Sequence, residues 1–150
     1  MQTLRLTKQD FDAQGKYIGK TDVSDYQGHI EIDAGLGRVS FKGIRVSGYL
    51  WAKAGTGIKA DTEIKAGTEI EAGEGIEAGK GIEAGEGIKA GTGIQAGLSI
   101  TCKKVLKFST RLFAGTCYWR QLEDDSEKTI TCGRLEGDKV CYGIVKEIGM

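Results

Sequence analysis

The chain contains one histidine, His29, and four cysteines, Cys102, Cys117, Cys132 and Cys141. These are the side chains that most often supply a general base, a nucleophile or a soft-metal ligand. With one histidine, every Ser-His-Asp or Cys-His arrangement has to pass through His29. Nothing in Gly28-His29-Ile30 marks that residue as a base. The cysteines form no C-x-x-C pair, and a multi-histidine metal site is excluded, so neither a metal nor another cofactor is expected. Asp10, Asp12, Gln14 and Gly15 are spaced like the start of a calcium loop, but its twelfth position is Thr21 in place of a bidentate glutamate. That segment, Asp10 to Gly19, reads as strand–turn–strand with Gly15 at the turn. Strings such as Gly73-Glu74-Gly75-Ile76-Glu77-Ala78-Gly79 have the glycine density of a phosphate loop. No Gly-Lys-Ser or Gly-Lys-Thr occurs, however, and no helix follows. No catalytic residue is expected.

The glycine strings belong to a repeat that dictates the architecture. Isoleucine recurs every six residues at Ile58, Ile64, Ile70, Ile76, Ile82, Ile88, Ile94 and Ile100. The register reads backward to Ala52 and forward to Leu106, Leu112 and Tyr118. In the unit Ile-Glu-Ala-Gly-Glu-Gly, Ile and Ala are two apart and share one face of an extended strand, while Glu points the other way. A helix fails, because six residues advance it by about 600° and each glycine costs it roughly 0.8–1 kcal/mol. The remaining solution is a β-solenoid that buries the Ile and Ala columns.

Outward charges set the coil length. Stacked strands lie about 4.8 Å apart, so like charges in one column repel. A coil of two hexads would stack Glu71 on Glu83 and Lys53 on Lys65. A coil of three hexads gives the columns Lys53–Glu71–Lys89, Lys59–Glu77–Gln95 and Lys65–Glu83–Thr101, in which every charged neighbour is opposite in sign. The expected fold is therefore all-β, a three-sided β-solenoid of about 18 residues per coil. Thr56–Glu74–Thr92 is a second outward column in that stacking.

Residues 52–117 thus resemble the hexapeptide-repeat β-helix proteins, with the large and small core positions exchanged relative to that family's usual pattern. The exchange leaves the hand of the coil open, and a right-handed coil resembling the bactofilin scaffolds stands beside the left-handed one. The clean isoleucine–alanine–glycine string is also similar to small β-helical proteins encoded by phages and prophages. The first resemblance would imply acyl transfer with a histidine set between subunits of a trimer, for which His29 is the only candidate. The second would imply a self-assembling scaffold. The third would imply an inhibitor of a host enzyme or defence complex, of anti-CRISPR type.

The flanks lose the period of six. One domain is expected, divided into an irregular β cap over residues 1–45, the solenoid over 46–120, and a loop with a C-terminal β-hairpin cap over 121–150. The hairpin turns at Glu136-Gly137-Asp138 and brings Cys132 near Cys141. Leu4 to Leu6, Gly28 to Ile32 and Val39 to Val46 read as strands. The chain holds 150 residues, with 21 basic and 21 acidic side chains, 24 glycines and no proline. Zero net charge removes any bulk pull toward nucleic acid or anionic membrane. The N-terminal residues have no apolar run of signal-peptide type, and no stretch approaches the roughly 18 apolar residues of a membrane span. A cytoplasmic location with reduced thiols follows as an expectation.

A binding site is expected where the repeat loses its uniformity. Outward positions become Leu98, Phe113 and Trp119, with Arg111 and Arg120 beside them. Lys103, Lys104, Lys107, Arg111 and Arg120 form a basic run with no acid among them. Such a run could meet an acidic partner or nucleic acid, although a solvated face is the simpler reading. Outward aromatic residues need cover. Either the C-terminal hairpin folds over them, or they anchor a protein partner. The functional expectation is a non-enzymatic protein that presents a rigid solenoid surface to a macromolecule, with a homo-oligomer left open.

Overall fold

The computed structural model describes residues 1–150. The chain forms strands β1 (Thr3–Leu6), β2 (His29–Ile32), β3 (Gly37–Phe41), β4 (Ile44–Val46), β5 (Leu50–Ala52) and β6 (Thr56–Ala60). Six three-residue strands follow, β7 to β12, at Ile64–Ala66, Ile70–Ala72, Ile76–Ala78, Ile82–Ala84, Ile88–Ala90 and Ile94–Ala96. The remainder are β13 (Ile100–Thr101), β14 (Val105–Lys107), β15 (Arg111–Ala114), β16 (Thr129–Cys132), β17 (Arg134–Glu136), β18 (Lys139–Tyr142) and β19 (Ile144–Glu147). They make three parallel sheets, of seven, six and six strands, which are the walls of a β-solenoid of about six turns. Wall 1 runs from β1 to β17, wall 2 from β4 to β19 and wall 3 from β3 to β18.

Each hexad folds as its pattern requires. Ile and Ala point in and are buried, and the residue between them points out. Ile58 pairs with Ile76, Ile76 with Ile94 and Ile94 with Leu112, so each coil advances by three hexads. The stacked charges are ion pairs: Lys65–Glu83 at 2.9 Å, Lys59–Glu77 at 3.8 Å and Lys89–Glu71 at 3.7 Å.

Lys53 does not join its expected column. Leu50 and not Ala52 occupies the isoleucine position, since Leu50 pairs with Ile70 and Ala52 with Ala72. Two additional residues between Ala52 and Ile58 shift the phase, so Trp51 stands over Glu71 and Lys53 pairs with Glu31 at 3.6 Å. Thr56 is also not outward. It is fully buried, with its hydroxyl donating to Asp33 O at 2.6 Å and accepting from Leu36 N at 3.1 Å.

The glycine after each alanine exists for space. None of the glycines from Gly67 to Gly97 has a positive φ. A β-carbon at Gly85 would overlap the carbonyl oxygen of Gly67 in the coil beneath, well inside 3.0 Å. The glycine before each isoleucine is roomier: a β-carbon at Gly81 would stand 3.4 Å from Ser99 O. Positions equivalent to Gly81 accordingly hold Glu63 and Ser99 in neighbouring coils.

Both flanks build walls. Leu6, Ile30, Ile32, Val39, Phe41 and Ile44 join the repeat in one continuous core. Residues before β2 make an irregular first coil, tied by bridges Lys16–Ser40 and Tyr26–Val46. Its turn is as expected, with Phe11 bridging Tyr17 and Gly15 at φ 82°. Phe11 and Tyr17, partly buried, pack against the core beside Phe41, with the three ring centroids 5.4–5.8 Å apart.

At the other end the expected hairpin does not form. Strands β16 to β19 all pair in parallel with the coil before them and continue the solenoid. The inward residues Ile130, Leu135, Val140 and Val145 fall every five positions, so the coil from Ile130 to its register partner Val145 is shorter than three hexads. Cys132 therefore lies beside Cys102, one residue past the Thr101–Thr131 pair, and Cys141 sits on a different wall.

Spatial demand at the corners gives a paired prediction. Gly85→Ala must displace the stacked backbone and should cost about 1–3 kcal/mol in urea unfolding. Gly81→Ala should change stability by no more than about 0.5 kcal/mol. Ile82→Asp, which buries an unpaired carboxylate among isoleucines, should cost several kcal/mol, roughly 3 or more.

Candidate binding surface

Ile100 pairs with Ile130 and not with the expected Tyr118, so this step spans five hexads instead of three. The excess leaves the wall as a loop: Tyr118 keeps the spacing of six but is exposed, and the next position in that spacing is Asp124. Gly115, at φ 83°, turns the chain outward, and its amide reaches the carbonyls of both Ala96 and Leu98 at 3.0 Å. Any β-carbon at Gly115 would overlap that of Lys128.

The loop is braced at its neck. The Arg120 guanidinium donates to both Glu127 carboxylate oxygens, one at 2.9 Å, and to Gln121 O at 3.0 Å. Glu127 also accepts from Glu123 N at 2.6 Å. A short 3-10 turn, Asp125–Lys128, is capped by Asp124, which accepts from Ser126 N at 2.9 Å. The Arg120 hydrogen bonds hold the Glu127 carboxyl down to about 2, and Glu127 in turn raises the Arg120 pKa.

This brace displays two aromatic residues. Tyr118 is 95% exposed and Trp119 46% exposed. Trp119 lies between two cations, the Arg120 guanidinium 5.0 Å and the Lys80 ammonium 6.0 Å from its ring centroid. Leu98, half-buried, follows Lys80 at the same corner, its amide donating to Lys80 O at 3.1 Å. Phe113 and Arg111 lie elsewhere on wall 3. They line an open groove of about 460 Å³ with Arg38, Glu77 and Gln95. Phe113 is half-buried between Gln95 and Tyr142 in the register. The five expected residues thus divide into a corner cluster and a groove. Tyr118 and Lys80 belong to the corner cluster, and sequence reasoning missed both. Tyr118 was hidden because its position continues the period of six.

The basic run is neutralised in part, since Arg111 lies against Lys139 and Lys107 against Lys89 in the register. Lys104 pairs with Glu86 at 2.9 Å, Arg120 with Glu127, and Lys107 has Glu136 as its register neighbour. His29 is a structural group: its ring stacks on Tyr49 at 4.0 Å, and Nδ1 accepts from Tyr49 N at 3.0 Å. Tyr49 donates to Glu31 at 2.5 Å, which raises its pKa. Burial pushes the Cys102 thiol up to about 11 and raises that of Cys132, so both are protonated and unreactive near neutrality. No helix in the fold is long and apolar enough to cross a membrane. In comparisons with protein-family models, curated proteins and solved structures, nothing matches this chain.

The brace predicts a pH dependence. A carboxylate whose folded pKa is depressed contributes order that is present above its unfolded value, 4.5, and lost as pH falls toward about 2. In a Trp51→Phe background, Trp119 emission should shift between those limits while the far-ultraviolet signal of the walls persists. Adding Glu127→Gln should abolish the transition.

Proposed function

We propose that this protein is a non-enzymatic binding module whose partner, a protein, docks on the corner formed by Trp119, Tyr118, Leu98 and Lys80. The observation that carries the reading is the exposure of two neighbouring aromatic side chains on a loop already fixed by the Arg120–Glu127 pair. Exposed Trp and Tyr on a rigid support are the favoured anchors of protein interfaces, and prior ordering of the loop lowers the entropy cost of docking. Phe113, Arg111 and the wall 3 groove extend the surface. The mixed and paired surface charges favour a protein over nucleic acid. The similarity to phage-encoded β-helical proteins makes an inhibitor of a host enzyme or defence complex the most concrete form of this role.

Truncating a buried aromatic anchor typically costs about 2 kcal/mol, roughly thirtyfold in affinity. Trp119→Ala should therefore abolish capture of a partner from host lysate and leave the melting temperature unchanged. Lys59→Ala, on a mid-solenoid ladder, should retain capture. Lowered stability with intact capture in Trp119→Ala would overturn the assignment and make the tryptophan a packing residue.

A further inference from the structure

Wall 3 carries a feature that the other walls lack. The position just before the large core residue is Gly57, Gly75 and Gly93 in three successive coils, with Arg38 in the coil before them and Arg111 in the coil after. The equivalent column is interrupted by Glu63 and Ser99 on wall 2 and by Glu69 and Val105 on wall 1. The three glycines therefore floor a trough along the solenoid axis, which is the groove of about 460 Å³. Glu74, Thr92 and Thr110 line one side, and Glu77, Gln95 and Phe113 line the other. Four strand steps separate Arg38 from Arg111, a length of about 19 Å.

Most polar groups of the trough are unspent. Glu77 is held by Lys59 at 3.8 Å and by Arg38 at 3.9 Å. Glu74, Thr92, Gln95, Thr110 and Arg111 make no side-chain hydrogen bond or ion pair within the chain, and the amides of Gly75 and Gly93 make no backbone hydrogen bond.

This chemistry selects an uncharged ligand. Glu74 and Glu77 in mid-trough repel a polyanion, and Arg38 and Arg111 at its ends repel a polycation. Carboxylate, amide, hydroxyl and guanidinium groups set side by side match a ligand rich in hydroxyls, each of which both donates and accepts. Phe113 adds an apolar surface for the C–H face of a ring. A floor without side chains admits a broad, flat occupant. The lining side chains recur every ~4.8 Å, close to the advance of one pyranose unit along a straight glycan. We infer that wall 3 binds a neutral, straight β-1,4-linked glycan laid along the solenoid axis, one ring over each glycine. This site goes beyond the protein-docking role of the Trp119 corner and does not rest on it.

Titration calorimetry of the full chain tests this, with the tetrasaccharides of β-1,4-linked glucose and β-1,4-linked N-acetylglucosamine as probes. At least one should bind, and the matching disaccharide should bind about tenfold or more weakly, because it spans only part of the trough. Gly75→Gln fills the floor at its roomiest point, where a β-carbon would stand 3.2 Å from Thr92 Oγ1 and 3.4 Å from Gly93 O. Gly75→Gln and Phe113→Ala should each weaken binding by about tenfold or more, while Gly81→Gln, the same change on wall 2, leaves it unchanged. Gln95→Ala trims an exposed side chain without touching the core, and it should weaken binding several-fold in a protein of unchanged melting temperature. The inference is overturned if neither tetrasaccharide binds, if a tetramer of galacturonate binds as well, or if Gln95→Ala and Gly75→Gln leave the affinity as it was. Trp119→Ala should not alter glycan binding, so failure here and failure of the proposed partner surface are separable.

Discussion

The structure depends on one constraint, that the chain stacks on itself in register at a spacing of about 4.8 Å. Every position in a coil must tolerate its own equivalent directly above and below. Isoleucine on isoleucine and alanine on alanine satisfy this inside, where they fill the core in alternating large and small columns. Outside, like charges would repel, and in the central columns lysine stacks on glutamate. At the corners of the central coils, a β-carbon at Gly85 would fall on the carbonyl oxygen of Gly67, and the repeat places glycine there. The low complexity of the central sequence is the solution to that stacking problem.

It follows that individuality resides where the step departs from three hexads. The lengthened step from Leu50 to Ile70 displaces Lys53 from its column and places Trp51 over Glu71. The five-hexad step from Ile100 to Ile130 extrudes the Trp119 loop, and the shortened step from Ile130 to Val145 tightens the last coil. A partner that must distinguish one coil from another can do so only at these places.

The same reasoning explains what the sequence disclosed. The central register was legible because hexads with a one-residue slip would expose every isoleucine, and because the ion-pair columns admit only one stacking. The flanks were not legible by the same test. Ala52 continues the period of six arithmetically, but Leu50 fills the large core site because inserted residues precede Ile58. The spacing of five at Ile130, Leu135, Val140 and Val145 was present in the sequence. It was obscured by Glu136-Gly137-Asp138, which has the composition of a hairpin turn but forms a solenoid corner in which Gly137 makes room for the Phe108 ring. Trp119 and Arg120 were identifiable as departures from the repeat. Their bracing by Glu127 was not, because that contact closes within an extruded loop with no periodicity to fix its path.

A solenoid also has to end, and its two ends meet this requirement by different physics. The lateral walls cannot help, since each is fully paired from coil to coil. At the first coil three aromatic rings pack against the core beneath wall 3 and single bridges lie before β3 and β4, while β1 gives wall 1 a continuous strand. At the last coil the cross-section itself contracts, as Ile130 gives way to Val145 and each side of the coil is one residue shorter than a hexad. Contraction lessens the apolar surface but leaves the backbone edges as they were. Hydrogen-bonding demand at that end is therefore undiminished while its hydrophobic area falls.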